Sequence, residues 1–296
     1  MGQPLNKKMF KSCFFNFLAL FVFTAVTARA EEFIFLVDKT KFQLHQAVVK
    51  PEGMEIVKTY KTTLGKASGD KEKEGDLKTP EGIYRITNRY TPPSIKKKFG
   101  MMAFYINYPN AMDRLAGKTG FDIMLHATDD PKRLELNQDS DGCVVVSNEQ
   151  ILELDKSIKP QQTQILIYDE LKPEYLRADF KPGLKAAFET WLNAWKGKDI
   201  DTYINAYHAD FKGQNMNLKT YREYKAGLNK KYETIDVMAS DVNYLVHPKY
   251  AVVTFMQKYS STFPGGRTAF SGYGRKALYF TEVEGNYKIV IEDMNP

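Results

Sequence analysis

At 296 residues with a formal net charge of +6, 43% hydrophobic and 26% charged residues, the chain suits two ordinary domains and is neither disordered, fibrous nor membrane-embedded. Two cysteines exclude a disulfide scaffold. The excess charge is no nucleic-acid footprint: residues 1–30 hold Lys7, Lys8, Lys11 and Arg29 with no acidic residue, and 38 basic against 36 acidic residues remain beyond them.

Those thirty residues read as a secretory signal. A basic head precedes the apolar run 14–26, and Ala28-Arg29-Ala30 offers the small-x-small exit that a signal peptidase needs. The run is shorter than the roughly 20 residues of a spanning helix, so an uncleaved signal segment is the only membrane contact expected. Cys13 lies ahead of the apolar run, where it is incidental. Cleavage leaves Cys143 as the single thiol of an exported chain, with no partner for a disulfide.

From residue 31 to 169 the pattern is β-rich. Residues 33–37 and 42–49 suggest a hairpin about Asp38-Lys39-Thr40-Lys41, and further strands are expected at 56–64, 83–87, 104–108, 121–126, 144–146 and 164–168. Two long polar connections, 65–82 and 127–142, are of the length usually reserved for function. Ser147 with Gln150 at the third position forms a capping box and predicts one helix. Strands with few helices imply a sandwich or mixed sheets.

Residues 170–183 read as a linker with Pro173 and Pro182, and 184–296 as a second domain. Leu184, Ala187, Phe188, Trp191, Leu192 and Trp195 share one helix face, and shorter helices are expected at 200–207 and 220–228. Four strands follow at 235–246, 250–260, 268–281 and 287–292, an α+β order. Many aromatics here are core. A pocket between helices and sheet, lined by others with Arg275 or His208, would take a glycan or a peptide. The stretch 260–271, with Pro264-Gly265-Gly266, is a candidate lip over it.

Cys143 starts a strand behind the turn Ser140-Asp141-Gly142, and His126 ends another, so both meet the same long loop. A small buried core residue and a catalytic nucleophile are both open for this cysteine, and a structural and a catalytic role for this histidine. In the catalytic case the N–H groups of Asp141, Gly142 and Cys143 converge as an oxyanion hole. The four histidines are scattered without ligand spacing, so no metal is expected, and no glycine-rich fingerprint calls for a cofactor.

His126-Ala127-Thr128, Ser140-Asp141-Gly142-Cys143 and the upstream Thr79-Pro80-Glu81-Gly82 resemble the L,D-transpeptidase catalytic (YkuD) family over roughly residues 32–168. The resemblance implies a sandwich-like catalytic domain, Cys143 as nucleophile, His126 as base and later acid, the Ala127 carbonyl orienting the imidazole, and the Asp141, Gly142 and Cys143 N–H groups as oxyanion hole. The substrate it implies is a peptidoglycan stem peptide (muropeptide), cut between the third residue and D-alanine. An imidazolium beside the sulfur would favour thiolate. Val145 stands where many members carry arginine, Ala127 replaces the common glycine and Asp141 the frequent histidine. Arg133 or Lys132 are candidates for the missing cation, and Asp129 and Asp130, with Asp139 and Asp141, for the diaminopimelate ammonium.

The whole chain resembles the cell-shape-determining L,D-carboxypeptidases of Gram-negative bacteria, whose second domain is nuclear-transport-factor-2-like, a cone of three helices on a curved antiparallel sheet. This implies a periplasmic enzyme trimming tetrapeptide to tripeptide. The rivals are a transpeptidase forming or breaking cross-links or protein attachments, and a non-catalytic wall- or glycan-binding protein.

Overall fold

A computed structural model describes residues 32–213 and 216–294; the signal reading of residues 1–30, with Cys13, falls outside the described residues. The first domain contains β1 (Phe33–Asp38), β2 (Gln43–Lys50), β3 (Gly53–Lys61), β4 (Leu64–Gly65), β5 (Gly82–Tyr90), β6 (Ala103–Ile106), α1 (Ala111–Leu115), β7 (Met124–His126), β8 (Gln138–Ser140), β9 (Val144–Val145), α2 (Asn148–Asp155) and β10 (Gln164–Tyr168). Eight strands connect in the order β3-β2-β1-β10-β5-β6-β7-β9, with β1/β10 and β7/β9 parallel and the other pairs antiparallel. Phe35, Val37, Leu44 and Ile165 from one half and Phe104, Ile106, Leu125 and Val144 from the other face a single core, with β5 at the fold between them. A mixed sheet curled over its own core is the β-rich sandwich that the sequence pattern implies. Both bonds of the Ser147–Gln150 capping box are present at α2.

β1 does not alternate because both its faces are covered. Phe35 and Val37 enter the first core, while Ile34 and Leu36 join Leu166, Tyr168, Leu245, Tyr250, Val252 and Tyr279 in an apolar cluster shared with the second domain. Each aliphatic side chain buried there contributes about 1.5–3 kcal/mol. Polar bonds cross the same seam: Tyr168 Oη donates to the Val246 carbonyl (3.0 Å), His247 Nε2 to the Ile167 carbonyl (3.0 Å), and the Ile83 N–H to Tyr250 Oη (2.8 Å). Residues 170–183 form an ordered strap. Tyr175 stacks on Tyr168 at 5.4 Å between ring centroids, and the Ala178 N–H donates to the Glu52 carbonyl (3.0 Å).

The second domain runs α3 (Leu184–Lys196), α4 (Ile200–Asn205), β11 (Lys212–Gly213), β12 (Met216–Asn217), α5 (Leu218–Lys231), β13 (Thr234–Val246), β14 (Ala251–Thr262), β15 (Thr268–Val283) and β16 (Asn286–Met294). The last four form an antiparallel sheet in sequence order. Phe188, Trp191 and Trp195 of α3 pack with Phe255, Leu278 and Phe280 of the sheet, as the helical spacing of α3 requires. The indole N–H of Trp191 donates to Tyr207 Oη (2.8 Å), which donates to the Glu292 carboxylate and lies 2.7 Å from Tyr203 Oη, so these buried polar tips are satisfied.

Candidate active site

β7 and β9 run parallel with His126 opposite Val145, which sets Cys143 level with Met124, two residues back along each strand. Side chains two apart on a strand share a face, so Cys143 and His126 project to the same side. Both line a cleft of about 610 Å³. Below them Met124, Val145 and Ala103 make an apolar floor, and the opposite faces, Leu125 and Val144, enter the core.

The nucleophile turn is held by the Ser140 hydroxyl, which donates to the Cys143 carbonyl (2.6 Å) and accepts the Gly142 N–H (3.1 Å). Gly142 has φ +125°, and a Cβ on it would lie 2.7 Å from the Lys78 carbonyl oxygen, so only glycine fits. The thiol points its proton at the Asp122 carbonyl (3.6 Å), and Asp122 itself adopts a left-handed φ of +58°.

His126 Nδ1 lies 2.5 Å from the Ala127 carbonyl oxygen. A carbonyl only accepts, so Nδ1 carries the proton and Nε2 keeps a free lone pair. Phe99 meets the imidazole edge-on at 4.8 Å between centroids. The methyl of Ala127 is accommodated by Gly100, where a Cβ would come within 2.8 Å of it; a small residue lost at one position is regained at the other.

Burial dominates the electrostatics. It pushes the Cys143 thiol up to about 11. Burial also lowers His126 to about 4; the Ala127 bond opposes this, and the charges of Arg133 and Lys98 reinforce it. Burial thus favours the neutral forms of both groups, thiol and imidazole, at rest. Buried His247 is likewise lowered to about 4 by burial. Because the unfolded chain binds more protons than the native one between pH 6.5 and 4, stability falls as pH drops through that window. From pH 7.5 to 4.5 each of these two histidines costs about 2–3 kcal/mol. Urea unfolding should therefore show stability lower by several kcal/mol at pH 4.5, and equal stability at both pH values would remove the histidines from this account.

Of the other residues singled out in the sequence, Arg133 lines the cleft, its Nε on Asp139 Oδ2 (2.7 Å) and its Nη2 on the Asp139 carbonyl (3.1 Å). Asp141 also lines it, with Lys66 3.0 Å away holding its carboxyl below the usual range. Asp129 and Asp130 lie in an adjoining groove of about 380 Å³ that shares Lys98, Arg133 and Asp141 with the cleft. Lys132 is exposed and lines neither. The Gly142 N–H is already engaged by Ser140, so the Asp141 and Cys143 N–H groups are the ones left for an anion. Sequence reasoning missed Lys98, Phe99 and Phe121, all on the cleft. The basic run Lys96-Lys97-Lys98 ending in Phe99-Gly100 was the available signal.

A second cavity, of about 500 Å³, opens between α5 and the sheet, walled by Trp195, Tyr259, Phe270 and Tyr273. Its cations are Lys225 and Lys276, not Arg275 or His208: Gly274 and Lys276 face it, so Arg275 between them points to the other side of the sheet. The backbone N–H of His208 instead donates to the Ile289 carbonyl, and its ring Nδ1 accepts the Asp210 N–H (3.1 Å). Ala269 and Phe270, just beyond the β14–β15 turn, stand at its edge. Lys276 Nζ binds Glu292 Oε2 (2.7 Å), and Lys225 Nζ sits 4.5 Å from the Trp195 ring centre.

The L,D-transpeptidase catalytic domain matches residues 32–167 and the Cds6 C-terminal NTF2-like domain residues 183–293. The structure of Bd1075 from Bdellovibrio bacteriovorus is similar at 32% identity and TM-score 0.75, covering 90% of this chain and 93% of that one. The chain belongs to the L,D-transpeptidase family. The helical cell shape determining protein Pgp2 from Campylobacter jejuni shares this two-domain fold at 24% identity and TM-score 0.69, covering 89% of this chain and 92% of that one. No curated protein matches significantly. L,D-transpeptidase-family enzymes act on peptidoglycan peptides, and a cysteine at the head of a strand opposite a histidine suits that chemistry.

Proposed function

We propose that this chain is a periplasmic peptidoglycan L,D-carboxypeptidase that trims the stem tetrapeptide to a tripeptide and thereby shapes the cell. The observation that carries it is the Cys143–His126 pair on one face of one cleft, with Nδ1 fixed by Ala127 so that Nε2 is the base. Cys143 Sγ attacks the carbonyl carbon at the L-centre of the third residue while Nε2 takes the thiol proton. The N–H groups of Asp141 and Cys143 meet the oxyanion, and His126 returns the proton to the departing D-alanine nitrogen as the C–N bond breaks. Water then attacks the thioester carbon while His126 Nε2 takes its proton, the C–S bond breaks, and that proton passes to Cys143 Sγ as the tripeptide acid departs. Lys98 and Arg133 supply positive charge for the terminal carboxylate where Val145 has none. The likeness to Pgp2 supports the link to cell shape.

One observation favours transpeptidation: Asp129, Asp130, Asp139 and Asp141 share the adjoining groove and suit an acceptor ammonium. The aromatic cavity of the second domain suits a glycan or peptide segment of the wall, stacked on Trp195 and Tyr259. The test is incubation of the protein with disaccharide-tetrapeptide and mass spectrometry, with Cys143→Ala alongside. Loss of one alanine, absent in the variant, is expected. Cross-linked dimers would make it a transpeptidase, and no change would leave the wall-binding reading.

A further inference from the structure

Residues 66–81, between β4 and β5, form one wall of the cleft. Lys71, Glu74, Gly75 and Leu77 line it, and the Lys78 carbonyl lies against the Gly142 turn. This segment has no helix or strand of its own; backbone bonds from the Lys66 N–H to the Ser140 carbonyl (2.9 Å) and from the Ala67 N–H to the Leu77 carbonyl (3.1 Å) hold its start, and charged side chains add to them. Asp76 gathers the inner curl, accepting the N–H groups of Glu72 (2.8 Å), Lys73 (3.0 Å) and Lys78 (3.2 Å) and the ammonium of Lys71 (2.7 Å).

The outer end is drawn together differently. The Glu81 N–H donates to Asp70 Oδ1 (2.8 Å), and the two carboxylates share one cation, Lys249, whose Nζ is 2.8 Å from Asp70 Oδ2 and 2.7 Å from Glu81 Oε2. Lys249 belongs to the other domain, in the β13–β14 turn. That turn is anchored independently of it by His247 on the Ile167 carbonyl and by Tyr250 Oη, which accepts from Ile83 N–H and Asn110 Nδ2. Lys249 therefore reaches the loop from a fixed base.

We infer that Lys249 is a positioning residue: the second domain pins the closing end of the cleft wall, and stem-peptide binding depends on that pin. The activity arm rests on the stem-peptide reading above; the ordering of the loop does not. Removing the ammonium leaves Asp70 with Lys118 (2.5 Å) and Glu81 with Lys39 (2.8 Å), so the wall should loosen without exposing an unpaired buried charge. Nothing in the contacts of Lys249 touches Cys143 or His126, so the chemical step should survive.

The experiment uses the full chain carrying Lys249→Met, with hydrogen exchange read peptide by peptide and kinetics on disaccharide-tetrapeptide. Exchange should accelerate over residues 66–82 and stay unchanged over α3 to α5. KM should rise about tenfold with kcat within about twofold, the split expected for lost binding geometry. Lys249→Arg should restore both. Asp70→Asn should raise KM similarly and add little on top of Lys249→Met, since neighbours in one network are not additive. Unchanged exchange over 66–82 would overturn the proposal, as would a KM effect that arginine does not rescue. Should the protein leave stem peptides untouched, the exchange measurement still decides whether Lys249 orders the wall.

Discussion

Replacing His126 with glutamine should lower kcat/KM for stem-peptide cleavage by about three to four orders of magnitude at pH 7. With the thiol pushed up to about 11, only about one molecule in ten thousand carries thiolate at that pH, so a base that removes the proton during attack supplies nearly the whole rate. The native enzyme should be flat from about pH 5 to pH 9, because the reactive form is neutral thiol with neutral imidazole and His126 stays unprotonated above about 4. The glutamine variant should instead gain about tenfold per pH unit, as solvent supplies the thiolate that the imidazole no longer generates. It should also unfold less readily in acid than the native chain, since one of the buried histidines that resist protonation is gone. A variant within tenfold of native activity at pH 7 would remove His126 from the mechanism.

Gly142→Ala should reduce kcat by about a hundredfold to a thousandfold through displacement of the nucleophile. Two effects combine at this position. A φ of +125° is barred to alanine, and its Cβ would press on the Lys78 carbonyl oxygen at 2.7 Å. The turn must shift, breaking the Gly142 N–H bond to Ser140 Oγ and moving both Cys143 and the amides beside it. Gly285→Ala separates strain from collision: φ is +76° there, but no atom lies within 4 Å of the added carbon. It should cost about 1 kcal/mol of stability and no activity. Equal kinetic effects from the two substitutions would show that the crowding at Gly142 is irrelevant.

The parts legible in the sequence are those encoded locally. Cys143 stands at the head of one strand and His126 at the end of another, beside a long polar loop, and Ser147 with Gln150 spells out its own cap. The helix face of α3 follows from spacing alone, and the four long strands of the second domain from their length. What escaped depends on distant partners. α1 is five residues long and is capped by Asn110, whose amide also reaches across to Tyr250; no window of sequence holds that signal. β4 and β8 pair over two or three residues contributed by segments more than seventy positions apart. The sequence reading put Arg275 at the second cavity where the structure has its neighbour Lys276, and only the pleat of β15 decides between them. Lys98 and Lys249 are ordinary surface lysines by composition, given meaning by the loops they face.

β1 comes first in the described chain yet lies in the middle of its sheet. Its neighbour β2 follows at once, but the other, β10, pairs Ile165 with Phe35 about 130 residues later. Its outer face waits longer still, until Leu245, Tyr250 and Val252 are in place. So high a contact order implies slow folding, because the entropy of closing the chain must be met before the contacts reward it. Ile34 and Leu36 stay uncovered through most of assembly, and the opening hairpin is the segment most in need of protection from other chains while the protein forms.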